Sequence, residues 1–434
     1  MVTRKHSTQI IMITVLLVVV MSISMLTVGA ARRRVTIRFV AANHPFTDVI
    51  KPLIPEFEKE TGIRVDVENY EENQLTQKLT VEFTSGASTV DVFMTRPLQE
   101  GRLFYRNKWY HNLNQYLSAP GWDWADYPKS TVEAVTLNED IYAIPIVTEW
   151  KTLFYRKDLF AKAGLKVPTT FEELEEAARR LHDPANDMYG IVLRGQRGAA
   201  VTQFSSFLYS HGGDFIKDGK CVIDSPEAVE AFKYYGRLLH DYGPPGVTNM
   251  SWPQAQALFA SGKVAMWADA SVLIAGIIDA EKSVVADQVG VAIFPAGPAG
   301  AKPFQVVPWS VAIAAQSKQK EAALEFLKWA TSKTMAKTAQ LGGLTMARNS
   351  VWNDPEIAKH IYPGLAESAR LTGPIAVPYD RPLMTAVTEA RDAIGEVIVT
   401  AIESGGKADL ASLAKSAAAK VDVLLARAGE GPSK

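Results

Sequence analysis

The sequence predicts an α/β fold in two lobes, and three observations support this prediction. The chain has 434 residues, which is more than a single hydrophobic core usually organises, so we expect two lobes. From residue 35 onwards, strand-like and helix-like segments alternate, an order that requires crossover connections and favours a parallel sheet. The composition, with 47% hydrophobic and 21% charged residues, is that of a folded globular protein.

The first five elements show the alternation most clearly. Apolar spacing and a stop at Gly62 predict the order strand, helix, strand, helix, strand over Val35–Val40, Ile54–Glu60, Ile63–Glu68, Asn73–Thr84 and Val90–Met94. A polar loop is expected over 41–47. In parallel sheets, ligands bind beyond the carboxyl ends of the strands. The loops that carry Asn43, His44 and Arg96 follow two of these strands and are expected at such an edge.

The later elements are shorter, and their prediction depends more on capping and turn residues. Thr170 and Glu173 form a predicted capping box at the start of a helix that runs through Leu181. Residues 148–150 are expected in a loop between two short strands. The other predicted strands are Ile141–Pro145, Leu153–Tyr155, Val264–Trp267, Gln288–Phe294 and Gln305–Ala314, and the other predicted helices are Ser225–Leu239, Gln254–Ser261, Lys320–Ala330 and Met384–Ile402.

Charge and cysteine content exclude several classes of function. The net charge is −1, so no strong field favours nucleic acid or an anionic membrane, and we expect no nucleic-acid partner. Cys221 is the single cysteine, so no disulfide forms within the chain, and we expect a small buried hydrophobic side chain there. Some of the 9 tryptophans and 14 tyrosines must lie in the core. Tryptophans in loops, however, often mark a ligand surface.

The N-terminal residues 1–31 have the order of a secretory signal peptide. Arg4 and Lys5 precede an uncharged apolar stretch over 10–28, and small residues follow at 29–31. The stretch is also long enough to remain as a membrane anchor, and Arg32–Arg34 would hinder translocation. No cysteine lies near residue 30, which excludes a lipoprotein. We therefore expect the protein in the periplasm or on the outer face of the cytoplasmic membrane.

Motifs of catalysis are absent from the sequence. There is no glycine-rich dinucleotide loop after a strand, no phosphate-binding loop and no nucleophile elbow. The seven histidines never fall at metal-ligand spacing. We expect no metal, no cofactor and no enzymatic activity; a secreted carbohydrate-active enzyme is the alternative.

Several patterns occur in an order that resembles the bacterial extracellular solute-binding proteins of family 1, the sugar-binding components of ABC importers. The most specific is IYAIPIVTEWKTLFYRKDLF at 141–160, followed by AKAGLKVPTTFEEL. The others are IPEFEKETGIRVDVENY at 54–70, FASGKVAMW at 259–267, VPWSVAIA at 307–314, AALEFLKW at 322–329 and GGLTMARNS at 342–350. The resemblance covers residues 35 to about 424.

The resemblance implies a two-lobed periplasmic-binding-protein fold of class II type, with a hinge between the lobes. The N-terminal lobe would take 35–146 plus 300–333, the C-terminal lobe 147–299 plus 334–424, and 425–434 would be a flexible tail. The implied partners are a small carbohydrate or polyol, held in the cleft, and the permease subunits of an ABC transporter. The protein itself is expected to be a monomer.

Within the family, two segments are most similar to binders of sugars and polyols. They are YEENQL at 70–75 and Arg381–Met384. One departure is Glu149-Trp150-Lys151, which is bulkier and more charged than the small polar residues common there. The alternative ligand is an anion, for example a phosphorylated polyol such as glycerol phosphate, because Arg96, Arg348 and Arg381 could attract it.

The resemblance also implies the residues of the site. A polyol needs hydrogen-bonding groups for its hydroxyls and an aromatic platform for its C–H faces. Trp267 is expected to stack on the ligand and Asp269 to accept from its hydroxyls; the alternative is a core tryptophan beside a helix-capping aspartate. The other expected ligand-binding residues are Asn43, His44, Glu72, Arg96, Glu149, Trp150, Trp309, Gly343, Arg348 and Arg381.

For four of these residues a structural role is an open alternative. Glu149 and Trp150 would instead form a salt bridge and packing at the hinge. Trp309 would lie in the core, and Arg348 would form a structural ion pair.

Overall fold

The computed structural model describes residues 35–432, so the expected targeting segment lies outside the described residues. The strands are β1 Thr36–Ala42, β2 Arg64–Tyr70, β3 Val92–Thr95, β4 Thr136–Leu137, β5 Asp140–Ile141, β6 Ile144–Pro145, β7 Glu149–Arg156, β8 Tyr189–Val192, β9 Ile216–Lys217, β10 Lys220–Cys221, β11 Val264–Ala270, β12 Val289–Ile293, β13 Gln305–Val306 and β14 Ser310–Ile313. The helices are α1 Pro45–Ile50, α2 Ile54–Thr61, α3 Glu72–Thr84, α4 Arg102–Arg106, α5 Lys129–Ala134, α6 Lys157–Ala163, α7 Phe171–Leu181, α8 Arg197–Ser210, α9 Pro226–Tyr242, α10 Trp252–Ala260, α11 Ala275–Ile278, α12 Lys320–Ala330, α13 Lys333–Leu341, α14 Asn349–Trp352, α15 Pro355–Ala358, α16 Leu365–Thr372, α17 Val387–Glu403 and α18 Leu410–Ala428.

The first sheet has the strand order β2-β1-β3-β14-β6. β1 pairs in parallel with both β2 and β3, which confirms the parallel arrangement predicted from the first five elements. β14 pairs antiparallel with β3 and β6, so the complete sheet is mixed. The expected polar loop over 41–47 is largely wrong, because β1 extends to Ala42 and α1 begins at Pro45. The side chain of His44 caps α1 by accepting from the backbone N–H of Phe46.

The second sheet has the order β12-β7-β11-β8, and β13 also pairs with β7. The predicted loop at 148–150 is wrong for Glu149 and Trp150, whose backbones pair with Val306 and Gln305. α7 begins as predicted, with the Thr170 hydroxyl accepting from Glu173 N–H at 3.3 Å. The Glu173 carboxylate, however, accepts from Thr169 rather than from the N-cap residue. The two sheets with their helices form the two-lobed α/β fold that the sequence predicts.

Three chain segments cross side by side between the sheets. Ile146 N–H donates to the Trp309 carbonyl at 3.2 Å, and Thr148 N–H donates to the Thr345 carbonyl at 2.8 Å. The single strand predicted over Gln305–Ala314 is instead divided between the two sheets, as β13 and β14. Pro308 lies at the break and has no N–H for a ladder hydrogen bond. These crossing segments are the hinge of the molecule.

The buried side chains form two clusters, and the second sheet contributes to both. Phe154 and Trp267 belong to the cluster that contains Phe39 of the first sheet, whereas Leu153 and Met266 belong to the other cluster. α12 packs on β14, and α8, α9 and α17 pack on one another. The proposed boundaries of the lobes at 146/147, 299/300 and 333/334 stay predictions.

The C-terminal helix extends into the segment for which the sequence predicts a flexible tail. α18 continues to Ala428, and the Glu430 carboxylate accepts from both the backbone N–H and the hydroxyl of Thr385, at 2.9 and 2.6 Å. The flexibility of residues 425–434 stays a prediction.

α8 is a helix that the hydrophobic pattern did not predict. Every residue from Ala200 to Ser210 is buried, so α8 has no polar face and no amphipathic period. Its N-terminus is set by a close contact with α17. A Cβ added at Gly395 of α17 would lie 2.1 Å from the carbonyl oxygen of Arg197.

The substitution Gly395→Ala is therefore expected to lower the free energy of unfolding by about 1–3 kcal/mol, because the two helices must move apart. Gly198→Ala is the matched control, since a Cβ there has nothing within 4 Å. Chemical denaturation of both variants measures the difference. A stabilised Gly395→Ala variant, as expected from helix propensity alone, would contradict the close contact.

Candidate binding cleft

Two neighbouring cavities lie between the lobes. The inner cavity has a volume of about 50 Å³ and the outer one about 720 Å³. Both are lined by Glu72 and Arg96 from the first lobe and by Arg194 and Trp252 from the second. Glu72, Arg96 and Arg194 follow β2, β3 and β8 along the chain, so the strand ends converge on the cleft.

One wall of the inner cavity is built around Trp309. The His44 ring centroid lies 5.5 Å from that of Trp309, and the Arg96 guanidinium lies 5.3 Å from the tryptophan centroid. Burial lowers the pKa of His44 to about 4. Because its Nδ1 accepts from the backbone of Phe46, the neutral ring carries its proton on Nε2.

Glu72 joins the two lobes at the boundary between the cavities. Its carboxylate accepts from Arg96 Nη1 at 3.0 Å within its own lobe and from Trp252 Nε1 at 3.1 Å across the cleft. Burial acts to raise the pKa of Glu72, but attraction to Arg96 and Arg194 outweighs it and lowers this pKa overall. The carboxylate is therefore ionised, and its bond to Trp252 holds the lobes together.

A buried polar network holds Arg194 in place. Its Nε and Nη2 donate to the two carboxylate oxygens of Asp269 at 3.0 and 2.6 Å. Gln203 also donates to Asp269, and Lys151 donates to Gln203. Burial lowers the pKa of Lys151 well below its ordinary value, whereas attraction to Asp269 keeps Arg194 charged against the effect of its own burial.

Arg381 is held by a second bidentate pair. It donates to the carboxylate of the adjacent Asp380 through two bonds of 2.6 Å each. It also donates to the Gln99 side-chain oxygen at 2.8 Å, which connects it to the first lobe, and to Thr202 at 3.3 Å. Its guanidinium therefore enters the cleft with its charge already neutralised.

Glu149 is the one carboxyl group of the inner cavity that has no hydrogen-bond partner among residues 35–432. Burial raises the pKa of Glu149 to about 8; Arg194 opposes this shift, and the carboxylates of Asp269 and Glu72 add to it. The group is therefore protonated at neutral pH. It can donate one hydrogen bond into the cavity and accept others.

The structure brings seven of the expected site residues together and separates five from the cleft. His44, Glu72, Arg96, Glu149, Trp309 and Arg381 line the inner cavity, and Asn43 lines the outer one. The residues that do not line either cavity are Trp150, Trp267, Asp269, Gly343 and Arg348.

Two of the separated residues are core tryptophans. Trp267 is completely buried, with ring centroids 5.3 Å from Phe154 and 6.1 Å from Phe259. Trp150 is packed against the edge of Trp352, and its Nε1 donates to the Ser368 hydroxyl at 3.1 Å. Neither ring has a face that a ligand in the cleft could cover, so the core alternative fits Trp267.

The other three separated residues have positioning or structural roles. Asp269 lies beneath the cleft and reaches it only through Arg194. Arg348 donates to Asp126 at 3.1 Å and lies 4.3 Å from the Tyr127 ring centroid, which is the structural ion pair of the alternative. Gly343 forms the turn after α13, with a φ of 92° that other residues rarely adopt.

Sequence reasoning missed several residues that line the cavities. Arg194 follows β8 just as Arg96 follows β3, so the strand-end rule would have found it. Trp252 and Asp380 come from segments whose position depends on tertiary contacts. The missed residues with polar side chains include Gln99, Arg194, Arg197, Thr202, Trp252, Asp380 and Arg391.

Residues 35–432 contain no group of three histidine, cysteine, aspartate or glutamate side chains that could hold a metal ion. In the same part of the chain, no helix combines the length and the apolar character needed to span a bilayer.

Solved structures share the fold over almost the whole chain. A solute-binding protein of an ABC transporter from Agrobacterium radiobacter K84, in complex with ribitol, superposes with a TM-score of 0.81 at 30% identity, covering 90% of this chain and 98% of that one. A solute-binding protein from Agrobacterium vitis S4 with bound D-mannitol gives a TM-score of 0.79 at 27% identity, covering 91% and 99%.

Curated sequences point in the same direction. A mannitol-binding protein from Pseudomonas aeruginosa is 32% identical over 272 residues, which is 62% of each chain. An erythritol/L-threitol-binding protein from Mycolicibacterium smegmatis is 28% identical over 334 residues, 71% of this chain and 69% of that one. The family model for bacterial extracellular solute-binding proteins matches residues 43–337. The chain therefore belongs to the bacterial extracellular solute-binding protein family.

Proposed function

We propose that the protein captures a sugar or polyol between its lobes and delivers it, as a monomer, to the permease subunits of an ABC importer. Ribitol and D-mannitol are the ligands of two structural neighbours, and mannitol, erythritol and L-threitol name two relatives. The site of action is the periplasm or the outer face of the membrane, without a lipid anchor. This chain acts as a binder, with no part in catalysis.

The observation that carries the proposal is the charge balance of the inner cavity. Each arginine there already has a carboxylate partner: Arg96 has Glu72, Arg194 has Asp269 and Arg381 has Asp380. An anion placed among these pairs would compete with carboxylates that are already bonded, and its desolvation would be poorly compensated. Uncharged hydroxyls can instead donate to the carboxylates and accept from the guanidinium groups.

The two indole rings supply the apolar part of the site. Trp309 lies on one lobe and Trp252 on the other, so a polyol between them would meet an aromatic surface on both sides. An inner cavity of about 50 Å³ holds only a few water molecules. Ligand entry therefore requires the lobes to separate at the hinge and the Trp252–Glu72 bond to break.

The experiment is a thermal-shift panel of ribitol, mannitol, erythritol, threitol, sorbitol and common sugars, followed by calorimetry. A true ligand at a hundred times its Kd stabilises the folded state by about 2.7 kcal/mol. No stabilisation by any member of the panel would contradict the proposal. Recovery of the ligand unchanged after prolonged incubation separates binding from the alternative of a secreted enzyme.

A matched pair of variants locates the site. Trp309→Leu is expected to weaken the best ligand at least tenfold, about 1.4 kcal/mol, because the aromatic face is lost. Trp124→Leu, in a short 3-10 helix of the first lobe outside both cavities, is expected to change the affinity less than twofold. Equal losses in both variants would place the ligand elsewhere.

A further inference from the structure

The outer cavity contains an arginine whose charge no carboxylate balances. Arg391 of α17 donates to the carbonyl of Gly198 at 3.0 Å, to the hydroxyl of Thr202 at 3.3 Å and to the side-chain oxygen of Gln99. All three acceptors are neutral. No carboxylate among residues 35–432 lies within 4.0 Å of the guanidinium of Arg391.

The other arginines that line the outer cavity are all paired. Arg96 and Arg194 are bound to Glu72 and Asp269, and Arg197 is bound to Asp392 at 2.8 Å and to Glu396 at 3.1 Å. Arg391 thus differs from its neighbours in having no counter-charge, and it is this difference that requires an explanation.

The surroundings of Arg391 increase the cost of its charge. Burial and the nearby guanidinium of Arg381 lower the pKa of Arg391 well below its ordinary value, and the more distant carboxylates of Asp380 and Glu72 offset this effect only in part. Arginine nevertheless remains protonated in proteins, so the cavity retains a positive charge. The carboxylates that face the same cavity are already engaged, since Glu72 accepts from Arg96 and Trp252, and Glu71 caps α3 by accepting from the backbone of Asn73.

We propose that the outer cavity binds a carboxylate or phosphate group carried at one end of the ligand, while the hydroxyls of the same ligand occupy the inner cavity. This inference rests on the proposed function and narrows it to acidic derivatives of polyols and sugars, such as aldonates or polyol phosphates. The two cavities share Glu72, Arg96, Arg194 and Trp252 as lining residues, so one linear ligand that displaces the Glu72–Trp252 bond can reach both. An anion beside Arg391 supplies the missing counter-charge through charge-assisted hydrogen bonds.

Calorimetry on two ligand series tests the proposal. The first series is ribitol, ribonate and ribitol 5-phosphate, and the second is mannitol, mannonate and mannitol 1-phosphate. Inorganic phosphate alone is the third probe. At least one acidic derivative is expected to bind ten times more tightly than its neutral parent at low salt. The preference is expected to shrink as sodium chloride is raised, because salt screens the attraction. The carboxylate and phosphate arms distinguish the two kinds of anion.

Two variants connect the preference to Arg391. Arg391→Gln is expected to abolish the preference for the acidic derivative over its neutral parent and to raise the melting temperature of the unliganded protein. Arg197→Gln is the matched control, since its charge is already neutralised by Asp392 and Glu396. It is expected to keep most of the preference.

Several outcomes would overturn this inference while leaving the proposed function intact. They are neutral parents that bind as tightly as the acidic derivatives, a preference that survives Arg391→Gln, and an equal loss of preference in Arg197→Gln. Binding of inorganic phosphate in the absence of any polyol or sugar affinity would overturn both proposals. A cooperative thermal unfolding transition shows that Arg391→Gln is folded.

Discussion

Replacement of Asp269 by asparagine is expected to lower the free energy of unfolding by about 3–5 kcal/mol, because the substitution leaves the guanidinium of Arg194 without its bidentate partner in a site that is mostly closed to water. The side chain of Asp269 is 0% exposed and that of Arg194 is 12% exposed. Gln203, which also donates to Asp269, loses a charged acceptor at the same time. We expect the ligand affinity to fall as well, since Arg194 is no longer held in place.

A double-mutant cycle separates this pair from general damage to the core. Arg194→Met should also be destabilising, because it leaves the Asp269 carboxylate buried. The double variant should be less destabilised than the sum of the two, by about 2 kcal/mol or more. Asp187→Asn is the control; it breaks the exposed Lys263–Asp187 pair, and surface pairs of this kind contribute little to stability, so we expect almost no change in the free energy of unfolding. Additive losses in the cycle would show that Arg194 and Asp269 do not act as a pair.

The fold could be predicted from the sequence wherever one periodicity dominated. β2 alternates apolar and polar residues, β3 is a short apolar run, and the helices between the strands carry apolar residues at helical spacing. The predicted bounds of these elements agree with the structure to within about two residues at most ends. α8 could not be found in this way, because it is buried on all sides. The break between β13 and β14 depends on which sheet each half joins, and that is a tertiary property that Pro308 alone does not reveal.

The site was predictable where a polar residue follows a parallel strand. His44 and Arg96 were placed by that rule, and both line the inner cavity. The role of Trp267 could not be predicted in this way. In β11 every residue from Val264 to Ala270 is buried. Whether a tryptophan in such a strand faces a ligand or a helix therefore depends on α10, whose Phe259 covers it, and no local pattern encodes that contact.

The largest pH-dependent effect is expected at Glu149. In the unfolded chain a glutamate has a pKa near 4.5, whereas in the folded protein that of Glu149 is about 8. Between these values the folded state binds a proton that the unfolded state does not. The free energy of unfolding therefore falls as the pH rises from about 4.5 to 8, and this loss is complete above pH 8.

Glu149→Gln retains the size and the neutral hydrogen-bonding character of the protonated side chain but has no proton to lose. We expect the variant and the parent to have similar stability near pH 5. At pH 9 we expect the variant to be more stable by about 2–4 kcal/mol; the full shift corresponds to roughly 1.4 kcal/mol per pKa unit, reduced because the group faces a cavity. Denaturant titrations at both pH values measure the difference.

Glu176→Gln controls for the loss of a carboxylate as such. Glu176 lies on an exposed helix face, where Arg179 lowers its pKa. Ionised Glu176 therefore favours the folded state, and this contribution to stability is lost only as the pH falls into the acid range, which is the opposite direction to the effect of Glu149. A difference between Glu149→Gln and the parent that does not grow from pH 5 to pH 9 would mean that Glu149 is already ionised in the cleft. The inner cavity would then carry one more negative charge than its arginines balance. The charge balance would no longer favour an uncharged polyhydroxy group at this position.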